Sequence, residues 1–214
     1  NTSALEHLSN LAELRTGDLD TLTHLSDLTK LEKLSLGGHQ IGDLSPLIGL
    51  TSLSELYISG GNLSDISPLS QLRNLRTLGI DENPLSDLSP LSSLTNLVEL
   101  HLNTDKVIDL SSLSNLTGLK ILDLPGNLIS DLSPLSSLIN LRELRLSNNN
   151  IKNLTPLSQL TNLEELDVSF NNISDISPLT SLNKLLALNL SANKIADITA
   201  ISNLTGLIKI DLSS

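Results

Sequence analysis

The chain has no cysteine, no methionine and no tryptophan among its 214 residues, and only one tyrosine, Tyr57, and one phenylalanine, Phe170. Without cysteine there is no disulfide, no thiolate nucleophile and no thiolate metal site. Two aromatic rings cannot fill the irregular interior of an ordinary globule of this length, so the core is expected to be built from aliphatic side chains in a regular setting. Basic residues are scarce too: 13 Lys and Arg stand against 24 Asp and Glu, a formal charge of −11. A surface so charged does not neutralise nucleic-acid phosphates and offers no polybasic anchor to a membrane. No apolar run is long enough for a membrane-inserted helix, and no secretory leader is recognisable. With Asn1 first and no methionine, a processed chain or a part of something longer is expected.

What the sequence has is a period. Leu31, Leu53, Leu75, Leu97, Leu119, Leu141, Leu163, Leu185 and Leu207 recur every 22 residues. Counting each as position 1, the unit Leu163–Lys184, "LEELDVSFNNISDISPLTSLNK", shows the plan. Positions 1, 4, 6, 11, 14, 17 and 20 are apolar in all eight complete units. Residues 1–30 read as an irregular N-terminal segment and a degenerate first repeat, two residues short of a period. Residues 31–206 are eight repeats, and 207–214 the strand of a truncated ninth.

Positions 4 and 6 alternate with polar neighbours, which predicts a short strand buried on one face. Position 9 is Asn at 83, 127, 149, 171 and 193, where an amide can satisfy backbone groups in a tight bend. His39, Gly61 and Asp105 replace it elsewhere and predict looser bends. Position 15 is always Ser or Thr, and Pro follows in six units, read as an N-cap and first helical residue. Leucines three apart at positions 17 and 20 suit one turn of 3₁₀ or α-helix. No single unit buries enough to offset the entropy of ordering itself, so stability is expected to come from stacking.

These phrases, especially "NNISDISPLTSL" and "NLTPLSQLTNLEEL", resemble leucine-rich repeats of the 22-residue class, found in bacterial internalins and in a regulatory subunit of a eukaryotic protein phosphatase. The likeness covers Leu31–Ser214 well and Leu11–Lys30 imperfectly. It implies an α/β solenoid: a right-handed leucine-rich-repeat superhelix with a parallel concave sheet and short 3₁₀ or α turns on the convex side. It also implies a non-enzymatic protein-binding or adhesion module, extracellular or displayed on a cell surface. Two alternatives stand beside that: a subunit stacking end to end into a filament or sheath, and an intracellular scaffold like the phosphatase regulator.

Outward strand residues at positions 3, 5 and 7 would pave the concave face. Tyr57, His101, Ile121, Asp123, Glu143, Arg145, Glu165, Asp167 and the rim residue Phe170 are the candidate binding surface, since aromatics and arginine anchor interfaces. A merely solvated acidic surface is the competing reading. Alanine at Tyr57, His101, Arg145 and Phe170 is expected to remove binding and leave melting nearly unchanged. Leu186, Ile208, Ile210 and Leu212 form an apolar edge, with no polar cap after them. Either further protein follows there or another copy of the chain stacks on it.

The position-13 carboxylates (Asp43, Asp65, Asp87, Asp109, Asp131, Asp175, Asp197) look like a calcium ladder but are read as turn caps. His7, His24, His39 and His101 share no unit and no metal spacing. No cofactor, metal or catalytic constellation is expected. Seven Asn-x-Ser/Thr sequons, at Asn1, Asn62, Asn115, Asn153, Asn172, Asn189 and Asn203, fall out of repeat composition.

Overall fold

The computed structural model describes residues 5, 7–17, 19, 21–37, 41–103 and 106–213. Ten strands form one parallel sheet in sequential order: β1 (Glu13–Thr16), β2 (Lys33–Gly37), β3 (Glu55–Ser59), β4 (Thr77–Asp81), β5 (Glu99–His101), β6 (Ile121–Asp123), β7 (Glu143–Arg145), β8 (Glu165–Asp167), β9 (Ala187–Asn189) and β10 (Lys209–Asp211). Like positions pair throughout, as in Leu122↔Leu144 and Leu144↔Leu166. The degenerate first repeat contributes β1, and its two missing residues show as the pairing Glu13↔Lys33, a step of 20 where the others step 22. Before it, Leu8 N–H bonds Leu5 O and Leu11 N–H bonds Leu8 O, the same three-residue turns that close every unit.

Leucines at positions 4 and 6 point inward from each strand, and those at 11, 14, 17 and 20 close the layer from the opposite side. Leu122, Leu144 and Leu166 are fully buried. The apolar positions escape burial only in the last complete unit, where Ile198 is exposed and Ile195 and Ile201 are half-buried. Each layer is completed by the next, so the core is a continuous aliphatic column.

The convex turns are single 3₁₀ turns, such as Ser45–Leu47 and Ser177–Ser181. The expected Ser N-cap is corrected here. The serine is the first residue of each turn, and the capping position is the preceding Leu or Ile, which makes no side-chain cap bond. The position-13 aspartate supplies the acceptor instead: Asp43 Oδ1 receives Ser45 N–H at 2.8 Å, and Asp175 receives Ser177 N–H at 2.8 Å. These carboxylates are held below their ordinary range by those hydrogen bonds. They are turn caps, and Asn153 does the same work for Thr155 N–H at 2.9 Å.

Asn127, Asn149, Asn171 and Asn193 each bridge two units. Asn149 Oδ1 accepts Ile129 N–H at 2.9 Å, while its Nδ2 donates to Leu124 O at 2.9 Å and Leu146 O at 3.1 Å. Buried backbone groups in the bend are paired by this one amide. Gly61 stands where that amide would be in its unit; His39 and Asp105 lie outside the described residues.

Candidate functional site

One face of the sheet is covered by the aliphatic column, and the other carries positions 3, 5 and 7. Parallel pairing in register stacks those side chains into rows across the strands. One row reads Ser35, Tyr57, Gly79 over β2 to β4, then His101, Asp123, Arg145, Asp167 over β5 to β8. The neighbouring row reads Glu55, Thr77, Glu99, Ile121, Glu143, Glu165.

Five of the expected residues form one ionic network. Arg145 Nη1 donates to Asp123 Oδ1 at 3.0 Å, and Nη2 to Glu143 at 2.9 Å and Glu165 at 3.0 Å. His101 Nδ1 donates to Asp123 Oδ2 at 2.7 Å. Burial works to raise the Asp123 carboxyl, but the His101 hydrogen bond and the Arg145 charge outweigh it and hold it below the usual range. His101 is pushed up, chiefly by its hydrogen bond to Asp123 and against the cost of burial, with Glu99 and Asp81 adding to the rise. Arg145 is therefore a strut binding three strands, with its main donors already spent. Alanine there would leave Glu143 and Glu165 without their cation and Asp123 with His101 alone, so a lower melting temperature is expected in place of one nearly unchanged.

The other candidates stand apart from this network. Asp167 turns to its own strand end, accepting Ser169 N–H at 2.9 Å and Ser169 Oγ–H at 2.7 Å. Ile121 is half-buried between Glu99 and Glu143. Tyr57 lies toward the N-terminal side, 40% exposed, with its ring laid over β4: a Cβ added to Gly79 would meet Tyr57 Cδ1 at 2.6 Å. Gly79 and Thr77 are both buried, so β4 is a low strand under the Tyr57 ring. A shallow cleft of about 150 Å³ adjoins Tyr57, between Glu13, Arg15, Lys33, Ser35 and Glu55. Its charges are self-paired, Lys33 to Glu55 at 2.6 Å and Arg15 to Glu13 at 2.9 Å.

Phe170 is 64% exposed at the rim, with φ of 52°. It is one of a set: Gly60, Glu82, Gly126, Asn148, Phe170 and Ala192, all at position 8, are all left-handed. That conformation lets the chain leave the strand while each N–H still reaches the next unit, as Phe170 N–H does to Ser191 O at 2.9 Å. Left-handed geometry suits Gly and Asn and is costly for a bulky side chain. Gly at 38, 60 and 126 and Asn at 148 are the sequence signal at this position that could have exposed it. The Tyr57–Gly79 contact had a weaker signal, a large residue beside a glycine one period away. Glu99 and Asp81, whose charges act on the Tyr57 hydroxyl, had none.

At the far edge, Leu186, Ile208, Ile210 and Leu212 are all exposed, Ile208 by 84%. Among the described residues, no group of three or more His, Asp or Glu is arranged to hold a metal ion, and no helix is long and apolar enough to cross a membrane.

No curated protein matches the chain. Among solved structures it is similar to an internalin, inlF, from Listeria monocytogenes, with a TM-score of 0.96 and 36% identity over 100% of this chain and 64% of that one. The chain thus spans under two thirds of that relative. Internalin C2 of the same organism superposes with a TM-score of 0.68 and 32% identity over 98% of this chain and 84% of its own. The functional domain of InlJ from Listeria monocytogenes, which includes a cysteine ladder, gives 0.73 and 25%, covering 98% of this chain and 55% of that one. A family profile described as Leucine Rich repeats (2 copies) matches residues 29–71, 51–93, 117–159, 139–181 and 161–206. The 22-residue period, the parallel sheet and these matches agree: the chain belongs to the leucine-rich-repeat family, and its repeats are of the internalin-like kind.

Proposed function

We propose that the chain is a non-enzymatic recognition module, extracellular or displayed on a cell surface, that binds a protein partner across the concave face and its Phe170 rim. The observation that carries this reading is Phe170. Its aromatic side chain is 64% exposed at a left-handed position, where a bulky residue costs about 1–2 kcal/mol and where Gly60 and Gly126 show that glycine serves the fold. Strain held in a solvent-facing aromatic brings the fold nothing, whereas aromatics are preferred anchors of protein interfaces. Tyr57, exposed on the same face, is the second anchor. A solenoid whose strands present one broad uncovered sheet provides area enough for a protein surface and no deep pocket for a small molecule.

The test is binding of the purified chain to intact cells and to a panel of their surface proteins. A Tyr57→Ala/Phe170→Ala double variant should lose binding at least tenfold while its circular dichroism and melting stay close to those of the parent. Undiminished binding by that variant rejects the concave face. A second reading, end-to-end assembly, is favoured by the exposed edge of Leu186, Ile208, Ile210 and Leu212. It requires concentration-dependent growth in sedimentation that Ile208→Lys abolishes.

A further inference from the structure

The concave face is uneven in charge, and the unevenness defines what can lie on it. From β4 to β8 it carries six carboxylates, Asp81, Glu99, Asp123, Glu143, Glu165 and Asp167, against Arg145 and His101. Both of those bases are committed: Arg145 to three carboxylates and His101 to Asp123. Lys33, on the N-terminal side, is held by Glu55 at 2.6 Å. Glu99 forms no ion pair among the described residues, and Asp81, half-buried, accepts a backbone N–H from Asn103 at 3.1 Å and no cation. One Arg145 serves three carboxylates and Asp167 accepts only from Ser169, so the strip from β4 to β8 is net negative throughout, and Glu99 and Asp81 are the part of it around β4 and β5.

Tyr57 lies in that region. Its ring rests over Gly79, whose missing side chain makes room for it. Its hydroxyl is pushed above the ordinary tyrosine range, first by burial and then by Glu99 and Glu55, against Lys33 and with Asp81 adding to the rise. An exposed aromatic ring with carboxylates beside it attracts a cationic side chain, through the ring's quadrupole and through charge.

We propose that the partner presents a basic segment to the concave face, with one arginine or lysine side chain laid on the Tyr57 ring and answered by Glu99 and Asp81. This rests on the concave face being the contact surface and adds the chemistry of what contacts it. Guanidinium is the better fit, because it stacks flat on a ring while its N–H groups donate to a carboxylate beside it. Phe170, five repeats away on the rim, would contact a separate part of the same partner.

The experiment is an NMR titration of the isotope-labelled full chain at about 0.15 M salt, where diffuse attraction is largely screened. The probes are three synthetic peptides of equal length, alternating Arg-Ser, Gln-Ser and Glu-Ser. The Arg-Ser peptide is expected to shift amides of β3, β4 and β5. Its affinity should fall at least tenfold in Tyr57→Ala and in Glu99→Gln, and hold in Tyr57→Phe. Asp65→Asn, on the convex turn of the same unit as Tyr57, should change affinity less than twofold, since Asn153 shows that an amide caps that turn. Equal binding of Arg-Ser to the parent and to Tyr57→Ala overturns the proposal, because attraction to a charge of −11 alone gives that result. Gln-Ser or Glu-Ser shifting the same strands as strongly overturns the basic chemistry but keeps the concave face. Shifts confined to the convex turns, or no shifts, overturn the proposal and count against the concave-face reading too.

Discussion

Strands β2, β3 and β4 are five residues long, and β5 to β10 are three. The same repeat, with the same inward leucines, thus ends its strand in two ways. In the early units pairing runs on through Gly37↔Ser59 and Ser59↔Asp81. In the later ones it stops two residues sooner, because side chains take over the last rungs. The carbonyls of Leu102, Leu124, Leu146 and Val168 accept from the amides of Asn127, Asn149, Asn171 and Asn193. The N–H groups of Ser169, Ser191 and Ser213 turn to the side chains of Asp167, Asn189 and Asp211. Backbone ladder and side-chain ladder are two solutions to one problem: no buried polar group may be left unpaired.

Removing an amide is the hardest test of that equivalence. Asn149→Ala leaves Ile129 N–H without its acceptor in a buried bend, and leaves the Leu124 carbonyl with only the longer bond from Asn127, at 3.2 Å. At about 1–3 kcal/mol for a stranded buried group, a loss of about 2 kcal/mol is expected in urea denaturation. Gly61→Ala, at the same position in an early unit, removes no hydrogen bond, and its new Cβ meets Asn83 Oδ1 at 3.2 Å, Ile41 O at 3.5 Å and Leu63 N at 3.9 Å. It should cost about 1 kcal/mol or less. Equal losses would mean that the amides are ornaments on a backbone already satisfied.

Position 8 sharpens the comparison from the other side, since both halves turn there with the same left-handed residue. Phe170→Gly and Gly60→Ala should have opposite signs. Glycine at 170 relieves about 1–2 kcal/mol of strain and returns about 0.5–1 kcal/mol through the freer unfolded chain, a net gain of about 0.5 kcal/mol. Gly60, at φ of 66° with open space around it, makes the reverse trade and should lose about as much. Thermal melting of both variants at one pH decides it, and a Phe170→Gly variant less stable than its parent would show that the ring packs for the fold.

Period, strand faces and core were legible in the sequence because each is a repeated choice of leucine against polar neighbours, and repetition makes the signal independent of any one residue. The function of Asn at position 9 was legible for the same reason. The serine cap was misread because Asp and Ser recur together two residues apart, and which of them accepts the N–H is a matter of backbone geometry. The concave residues were placed on the right face by period alone. Their partners were not legible: that Arg145 reaches Asp123, Glu143 and Glu165 depends on rotamers, and that Tyr57 leans onto Gly79 depends on a neighbour one repeat away. Glu99 and Asp81 gain their meaning only from that lean.

His101 sits where the long strands give way to the short ones, and its titration is the finest probe of that junction. Asp123 cannot turn to its own strand end as Asp167 does, because His101 and Arg145 occupy it. Position 7 of that unit is Pro125, which has no N–H to satisfy. The ionic network thus replaces the side-chain rung at this one unit. The folded His101 value is raised, so its stabilisation is complete below the unfolded value of about 6.5 and is lost as pH rises through the higher folded value. The Asp123 value is lowered, so its share is present above about 3.9 and is lost as pH falls through the lower folded value. The pair should hold a plateau from about pH 4 to pH 6.5. Between pH 6 and pH 8.5 the urea midpoint of the parent should drop slightly, by less than Asn149→Ala removes, since the Nδ1–H can still donate when the ring is neutral. His101→Gln should keep a hydrogen bond to Asp123 and flatten that limb. A limb unchanged in the variant would place the titrating group elsewhere and leave the junction to backbone pairing alone.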